Sequence, residues 1–143
     1  MPRIRVHNAQ RKVRVDRQRL QQFAERALPL CLRETPPLRS ELRKLDEVTI
    51  ILVSDARIAG LHRQFMNIEG ATDVITFQHG DVFISTETAQ RQAKQFGTST
   101  ADELRLYVVH GLLHLHGFED TTLASRSYME TVQRRLLAIA SAA

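Results

Sequence analysis

The chain has 143 residues, 43% of them hydrophobic, and a single cysteine, Cys31, which fits one globular domain with its own core and excludes an internal disulfide framework. No apolar run approaches the roughly 20 residues that a membrane-spanning helix needs, and the N-terminal stretch carries no apolar segment of the secretory kind, so the expectation is a cytoplasmic domain over residues 1–143 with no membrane partner. The net charge of +4 is uneven: Arg3, Arg5, Arg11, Lys12, Arg14, Arg17 and Arg19 face only Asp16 in the same stretch, a distribution that favours a polyanion such as nucleic acid.

Ile4-Arg5-Val6-His7 alternates as a short edge strand does. Asp16 is placed to cap a helix carrying Leu20, Phe23, Ala24, Ala27 and Leu28 at helical spacing, with Cys31 as a small packed residue of the same helix. Pro36-Pro37 breaks the chain. The run from Glu47 to Val53 is β-rich and apolar at successive positions, as a strand covered on both faces would be. Ser54-Asp55 opens a second helix through about Gln64, with Ile58, Leu61 and Phe65 inward, followed by a loop over 66–71. Two strands, Thr72–Phe77 and Asp81–Ser85, are separated so briefly by Gln78-His79-Gly80 that they should pair as an antiparallel hairpin. Ser85, Thr86 and Glu87 start a helix that Gly97 ends, and Thr100 with Glu103 has capping-box spacing at the head of a long apolar helix. A last helix starts near Thr122 and carries Met129, Val132, Leu136 and Leu137. The predicted class is α+β: a single domain whose mixed four-stranded sheet is covered by about five helices.

Chemistry concentrates at the end of the long apolar helix. His110 and His114 are four residues apart, so on a helix turning about 100° per residue they project from one face, where two imidazoles can share a metal ion. The apolar flanks Tyr107-Val108-Val109 and Leu112-Leu113 draw the pair inward, and buried polar rings need partners. Gly117 can end the helix, after which Asp120 can swing back as a third ligand. Three protein ligands with a fourth position open is the pattern of a catalytic zinc, here at the end of a central helix. His116 points about 200° away from His114 and is read as a supporting or surface residue. His62 is read as a surface or helix-packing residue, and Arg105 as exposed. Asp73 either supports a ligand imidazole or caps a loop.

His110-Gly111-Leu112-Leu113-His114-Leu115-His116-Gly117-Phe118-Glu119-Asp120 closely resembles the HGxLHLxGxDH signature of the YbeY family of metal-dependent endoribonucleases. Thr72–Phe77 is similar to that family's TDVLSF strand, Gly80–Ser85 to its GDIxIS strand, and Tyr128-Met129-Glu130 to the Met-Glu region of its closing helix, in the same order along the chain. The resemblance implies a single-strand-specific endoribonuclease of rRNA maturation and ribosome quality control, with RNA and the ribosomal small subunit or its associated proteins as partners. It further implies one Zn2+ held in a cleft by His110, His114 and Asp120, with His110 and His114 essential to catalysis. The ion would activate a nucleophile and polarise the scissile phosphate, leaving open whether water or the ribose 2′-hydroxyl attacks.

Three positions depart from the family pattern. Asp120 stands for its third histidine, Ala71 for its proline before the strand, and Met66 for the arginine that handles phosphate; Arg63, one turn earlier, is the candidate to reach the same cleft. Two other readings compete. HxxxHxxGxxD also resembles metzincin metalloprotease spacing, but those enzymes carry a general-base Glu after the first histidine, where this chain has Gly111. The other is a non-catalytic metal-containing factor that binds RNA or the ribosome.

Overall fold

The computed structural model describes residues 1–142. Four strands form one mixed sheet in the order β1-β2-β4-β3, with β1 (Arg3–Asn8), β2 (Glu47–Val53) and β4 (Asp81–Ser85) parallel and β3 (Val74–Thr76) antiparallel to β4. Five α-helices and a 3-10 turn at Leu42–Lys44 complete the order among the described residues: α1 (Arg17–Arg33), α2 (Asp55–Met66), α3 (Thr86–Phe96), α4 (Thr100–Leu115) and α5 (Leu123–Ser141). None of the described helices is long and apolar enough to cross a membrane.

The alternation of β1 places Ile4 and Val6 inward and leaves Arg3, Arg5 and His7 outward, as suits an edge strand. In β2, Val48, Ile50 and Leu52 join the main core, whereas Val53 joins Ile58, Leu61 and Ile75 in a smaller cluster under α2. Both faces of this strand are therefore covered, which is what its unbroken apolar run requires. α1 starts at Asp16, whose carboxylate accepts from the Arg19 N–H, and buries Leu20, Phe23, Ala24, Ala27, Leu28 and Cys31 on one stripe. Burial pushes the Cys31 thiol up to about 12, as befits a packed, unreactive side chain.

α4 lies at the centre, packed against α1, α3, α5 and the β3–β4 hairpin. Val108, Val109, Leu112, Leu113 and Leu115 are fully buried, each such side chain contributing about 1.5–3 kcal/mol of apolar transfer. The helix backbone approaches the sheet closely at Gly111, where a Cβ would come within 2.6 Å of Val82 Cγ1. The helix is thus held from all sides, and its C-terminal turn presents the two histidines at fixed positions.

Three local expectations are corrected. The α4 capping box is formed by Ser99 and Asp102, one residue earlier than expected, because Glu103 is buried and accepts instead from the Thr98 hydroxyl. α2 continues to Met66, and Phe65 is exposed; its ring meets Phe77 edge-on beside the β3–β4 turn rather than entering the core. β3 is shorter than Thr72–Phe77 because Asp73 Oδ1 accepts from the Val74 N–H and the Thr72 hydroxyl, turning the chain before the ladder starts. Of the two roles open to Asp73, this hydrogen bonding is that of a loop cap.

Candidate metal centre

α4 ends in a tight reversal that brings the carboxylate of Asp120 back over the histidines. The N–H groups of Gly117 and Phe118 bond to the carbonyls of His114 and Leu113, and Gly117 adopts φ +90°, a conformation side-chain-bearing residues rarely take. The absent Cβ at Gly117 also admits the backbone of residues 38–39, whose Leu38 N–H bonds to the Gly117 carbonyl. Beyond this turn, Asp120 Oδ2 lies 3.7 Å from His114 Nε2 and 4.0 Å from His110 Nε2, and the two Nε2 atoms are 3.0 Å apart. One ligand atom from each of the three residues falls within 4.8 Å of the other two.

Hydrogen bonding at the far side of each ring tests whether this set suits a cation. His114 Nδ1 lies 3.1 Å from the Phe118 carbonyl, an acceptor only, so this nitrogen carries the proton. His110 Nδ1 lies 2.8 Å from Gln133 Oε1 on α5 and is likewise the donor. Rings so tethered turn both Nε2 atoms toward one point, where each in its neutral form offers a lone pair. Two lone pairs and a carboxylate oxygen then converge with no proton between them, an arrangement that repels itself until a cation lies among them. Burial, followed by the neighbouring His110, holds the His114 imidazole below the ordinary histidine range, which favours the neutral, ligating form. The donor set therefore fits a divalent metal of zinc type, with nitrogen and carboxylate ligands.

The tether from Gln133 yields a prediction. Gln133→Ala leaves His110 free to change tautomer and rotate, and should weaken metal affinity by about 10–100-fold. Competition titration against a chromogenic zinc chelator measures this.

A family model described as endoribonuclease YbeY matches residues 5–141 of the chain. A Bacteroides thetaiotaomicron protein named endoribonuclease YbeY is 36% identical over 104 residues, covering 68% of this chain and 76% of its own. The chain belongs to the YbeY family. A Moorella thermoacetica protein of the same name is 37% identical over 111 residues, covering 64% of this chain and 71% of its own. A Thermotoga maritima protein solved in solution superposes with a TM-score of 0.65 at 25% identity, covering 96% of this chain and 88% of that one.

Within this YbeY-family fold, the structure brings His110, His114 and Asp120 together. Arg63 is not brought to them: it is exposed on α2 and lies outside the lining of both cavities that flank the histidines. Met66, the last residue of α2, does line the cleft beside His114, an opening of about 410 Å³. The arginine among the lining residues is Arg39, which no motif marks in the sequence. Its position depends on backbone bonds from Leu38 N–H to the Gly117 carbonyl and from Glu41 N–H to the Leu115 carbonyl. Such long-range pairings leave no local pattern; an arginine soon after the break at Pro36-Pro37 is the sole hint the sequence offers.

His116 is neither a surface residue nor a partner of the ligands. It is fully buried, with Nε2 donating to the Glu34 carbonyl at 2.7 Å and Nδ1 accepting from the Ser40 hydroxyl at 2.7 Å. Desolvation lowers its pKa, and in its neutral form it fastens the 34–40 segment, and with it Arg39, to the end of α4. His62 is half-buried and bonds to the Gly70 carbonyl through Nδ1, a helix-to-loop contact.

Proposed function

We propose that this chain is a zinc-dependent endoribonuclease that cuts single-stranded RNA in the cytoplasm, acting on small-subunit rRNA ends and in ribosome quality control. The observation that supports this reading most is the convergence of two imidazole lone pairs and one carboxylate beside an open cleft, in a chain of the YbeY family. A metal held there supplies Lewis acidity toward a phosphodiester and acidifies water.

The chain's own residues do the rest. Gln133 and the Phe118 carbonyl fix the orientation of the two ligating rings. Asp120, nearly half exposed, completes the set from the solvent side. Arg39 lies along the cleft beside His114 and, in this reading, takes the phosphate-holding part that Arg63 was expected to play, offsetting charge that grows on the phosphoryl oxygens in the transition state. A protease reading lacks its general base: Gly111 occupies that position and packs on Val82.

In this reading the basic N-terminal stretch supplies further phosphate contacts, at the opposite end of α4 from His114. Arg14 and Arg19, with Arg105 of α4, line one small cavity of about 120 Å³ where the starts of α1 and α4 meet, and none of the three has an ion-pair partner among the described residues. Arg105 is half-buried, with its guanidinium 5.7 Å from the centre of the Phe23 ring, rather than freely exposed as expected. Arg14→Glu with Arg19→Glu should weaken RNA binding and shrink the slope of log affinity against log salt by about 0.7 for each phosphate that is no longer neutralised.

The function is tested by incubating purified protein with a structured RNA carrying single-stranded ends. Cleavage within single-stranded segments, lost on chelation and restored by zinc, is expected. RNA binding with no cleavage under any metal would establish instead a non-catalytic RNA-binding factor.

A further inference from the structure

A second cavity, of about 200 Å³, adjoins His110 between α4, α5 and the segment leading into β3. Tyr107, one helical turn before His110, lines it together with Asp73, Asp120, Arg126 and Glu130. Tyr107 is only 4% exposed, and its hydroxyl has no hydrogen-bond partner among the described residues. Nearly all buried polar groups in folded proteins are paired, so an orphaned phenol beside a cavity points to a ligand that completes it. Burial, then the charges of Asp73 and Glu103, push the phenol up, so the O–H remains a donor.

The charges around this cavity decide what that ligand is. Three carboxylates, Asp73, Asp120 and Glu130, stand against one guanidinium, Arg126. Even with Asp120 engaged by a metal, the balance does not favour a phosphate. It favours a neutral group that can accept from a phenol and donate to a carboxylate. Asp73 has capacity for this: Oδ1 takes the Val74 N–H and the Thr72 hydroxyl, while Oδ2 has no partner among the described residues. A hydroxyl meets both requirements, and in RNA the ribose 2′-hydroxyl is the group that is both donor and acceptor and is missing from DNA.

We propose that this cavity is a ribose subsite, in which the Tyr107 hydroxyl donates to the 2′-oxygen of a nucleotide next to the scissile phosphate and that 2′-hydroxyl donates to Asp73. The subsite rests on the nuclease reading for its substrate and adds the means by which RNA is preferred to DNA. Tyr107 acts here as a specificity residue.

The test is a binding measurement, because a 2′-deoxy substitution could also stop cleavage by removing a nucleophile. Zinc-loaded protein is mixed with fluorescent single-stranded RNA, with the same oligonucleotide carrying one 2′-deoxy nucleotide at each position in turn, and with all-deoxy oligonucleotide. Anisotropy is read within seconds of mixing and cleavage is followed in the same samples. Wild-type protein should bind about tenfold more weakly when one particular 2′-hydroxyl is removed, a difference of about 1.4 kcal/mol. Tyr107→Phe should bind the all-deoxy strand as wild type does, lose the tenfold discrimination, and melt no lower than wild type, since the ring is kept and an unpaired buried hydroxyl is removed. Unchanged discrimination in Tyr107→Phe, or none in the wild type, overturns the subsite. Discrimination that depends on Tyr107 in a protein that never cuts RNA supports the subsite and removes the nuclease reading alone.

Discussion

His114→Ala should reduce RNA cleavage by a factor on the order of 10³ or more and drop bound metal from near one equivalent to near none. The size of the effect follows from position. His114 is the ligand whose lone pair lies nearest both others, 3.0 Å from His110 Nε2 and 3.7 Å from Asp120 Oδ2. Without it, His110 and Asp120 remain as two ligands 4.0 Å apart, too few to hold zinc against water. The fold should survive, because α4 is secured by its buried leucines and valines, and removing the bond to the Phe118 carbonyl costs only about 1 kcal/mol. Single-turnover cleavage and elemental analysis on the same preparation measure both effects. His62→Ala, which removes a helix-to-loop hydrogen bond away from both cavities, serves as the comparison and should retain metal and activity. Full activity in His114→Ala would place the chemistry elsewhere.

The second large effect should come from a residue with no side chain. Gly117→Ala places a Cβ 2.5 Å from the Leu38 carbonyl oxygen, 2.9 Å from its carbon and 3.1 Å from the Arg39 carbonyl oxygen, at a φ of +90° that already disfavours alanine. These neighbours are backbone and cannot rotate away, so the 38–39 segment must separate from the end of α4. Strain of about 1–3 kcal/mol for the dihedral, plus the disrupted packing, gives an expected destabilisation of about 3 kcal/mol or more. Asp120 and Arg39 both take their positions from this turn, so metal affinity should fall as well. Gly70→Ala separates the two causes: its φ is +96°, but nothing lies within 4 Å of the added carbon. That variant should lose only about 1 kcal/mol and keep its metal. Urea denaturation and zinc titration of the two variants decide whether the turn or the glycine dihedral alone carries the effect.

How much of this is legible in the sequence depends on whether the signal is local. The histidine pair is legible because helical periodicity fixes neighbours four residues apart, and the glycine and aspartate that follow lie within the same short segment. Asp16, Ser54, Ser85 and Gly97 are legible as helix ends because capping chemistry is carried by one residue and its backbone neighbours. The central strand is legible because burial on both faces leaves an unbroken apolar run. Arg39 and His116 are not, since each takes its role from contacts between residues far apart: Glu34 and Ser40 reach His116 across more than seventy positions. Helical angle alone places His116 correctly away from His114 but does not show that another segment covers it. Phe65 reads as a core residue because the apolar stripe of α2 continues beyond the core it packs on. Tyr107 reads as an ordinary apolar flank, and only the structure shows its hydroxyl without a partner.

The central claim is that His110, His114 and Asp120 bind one cation between them. Anomalous X-ray diffraction at the zinc edge, from crystals of protein purified without added chelator, tests it most directly. One strong peak is predicted about 2.0–2.2 Å from His110 Nε2, His114 Nε2 and an Asp120 carboxylate oxygen, with a further coordination position open toward the cleft. Zinc-soaked crystals that show no peak there, or a peak held by other residues while these three side chains point apart, would contradict it.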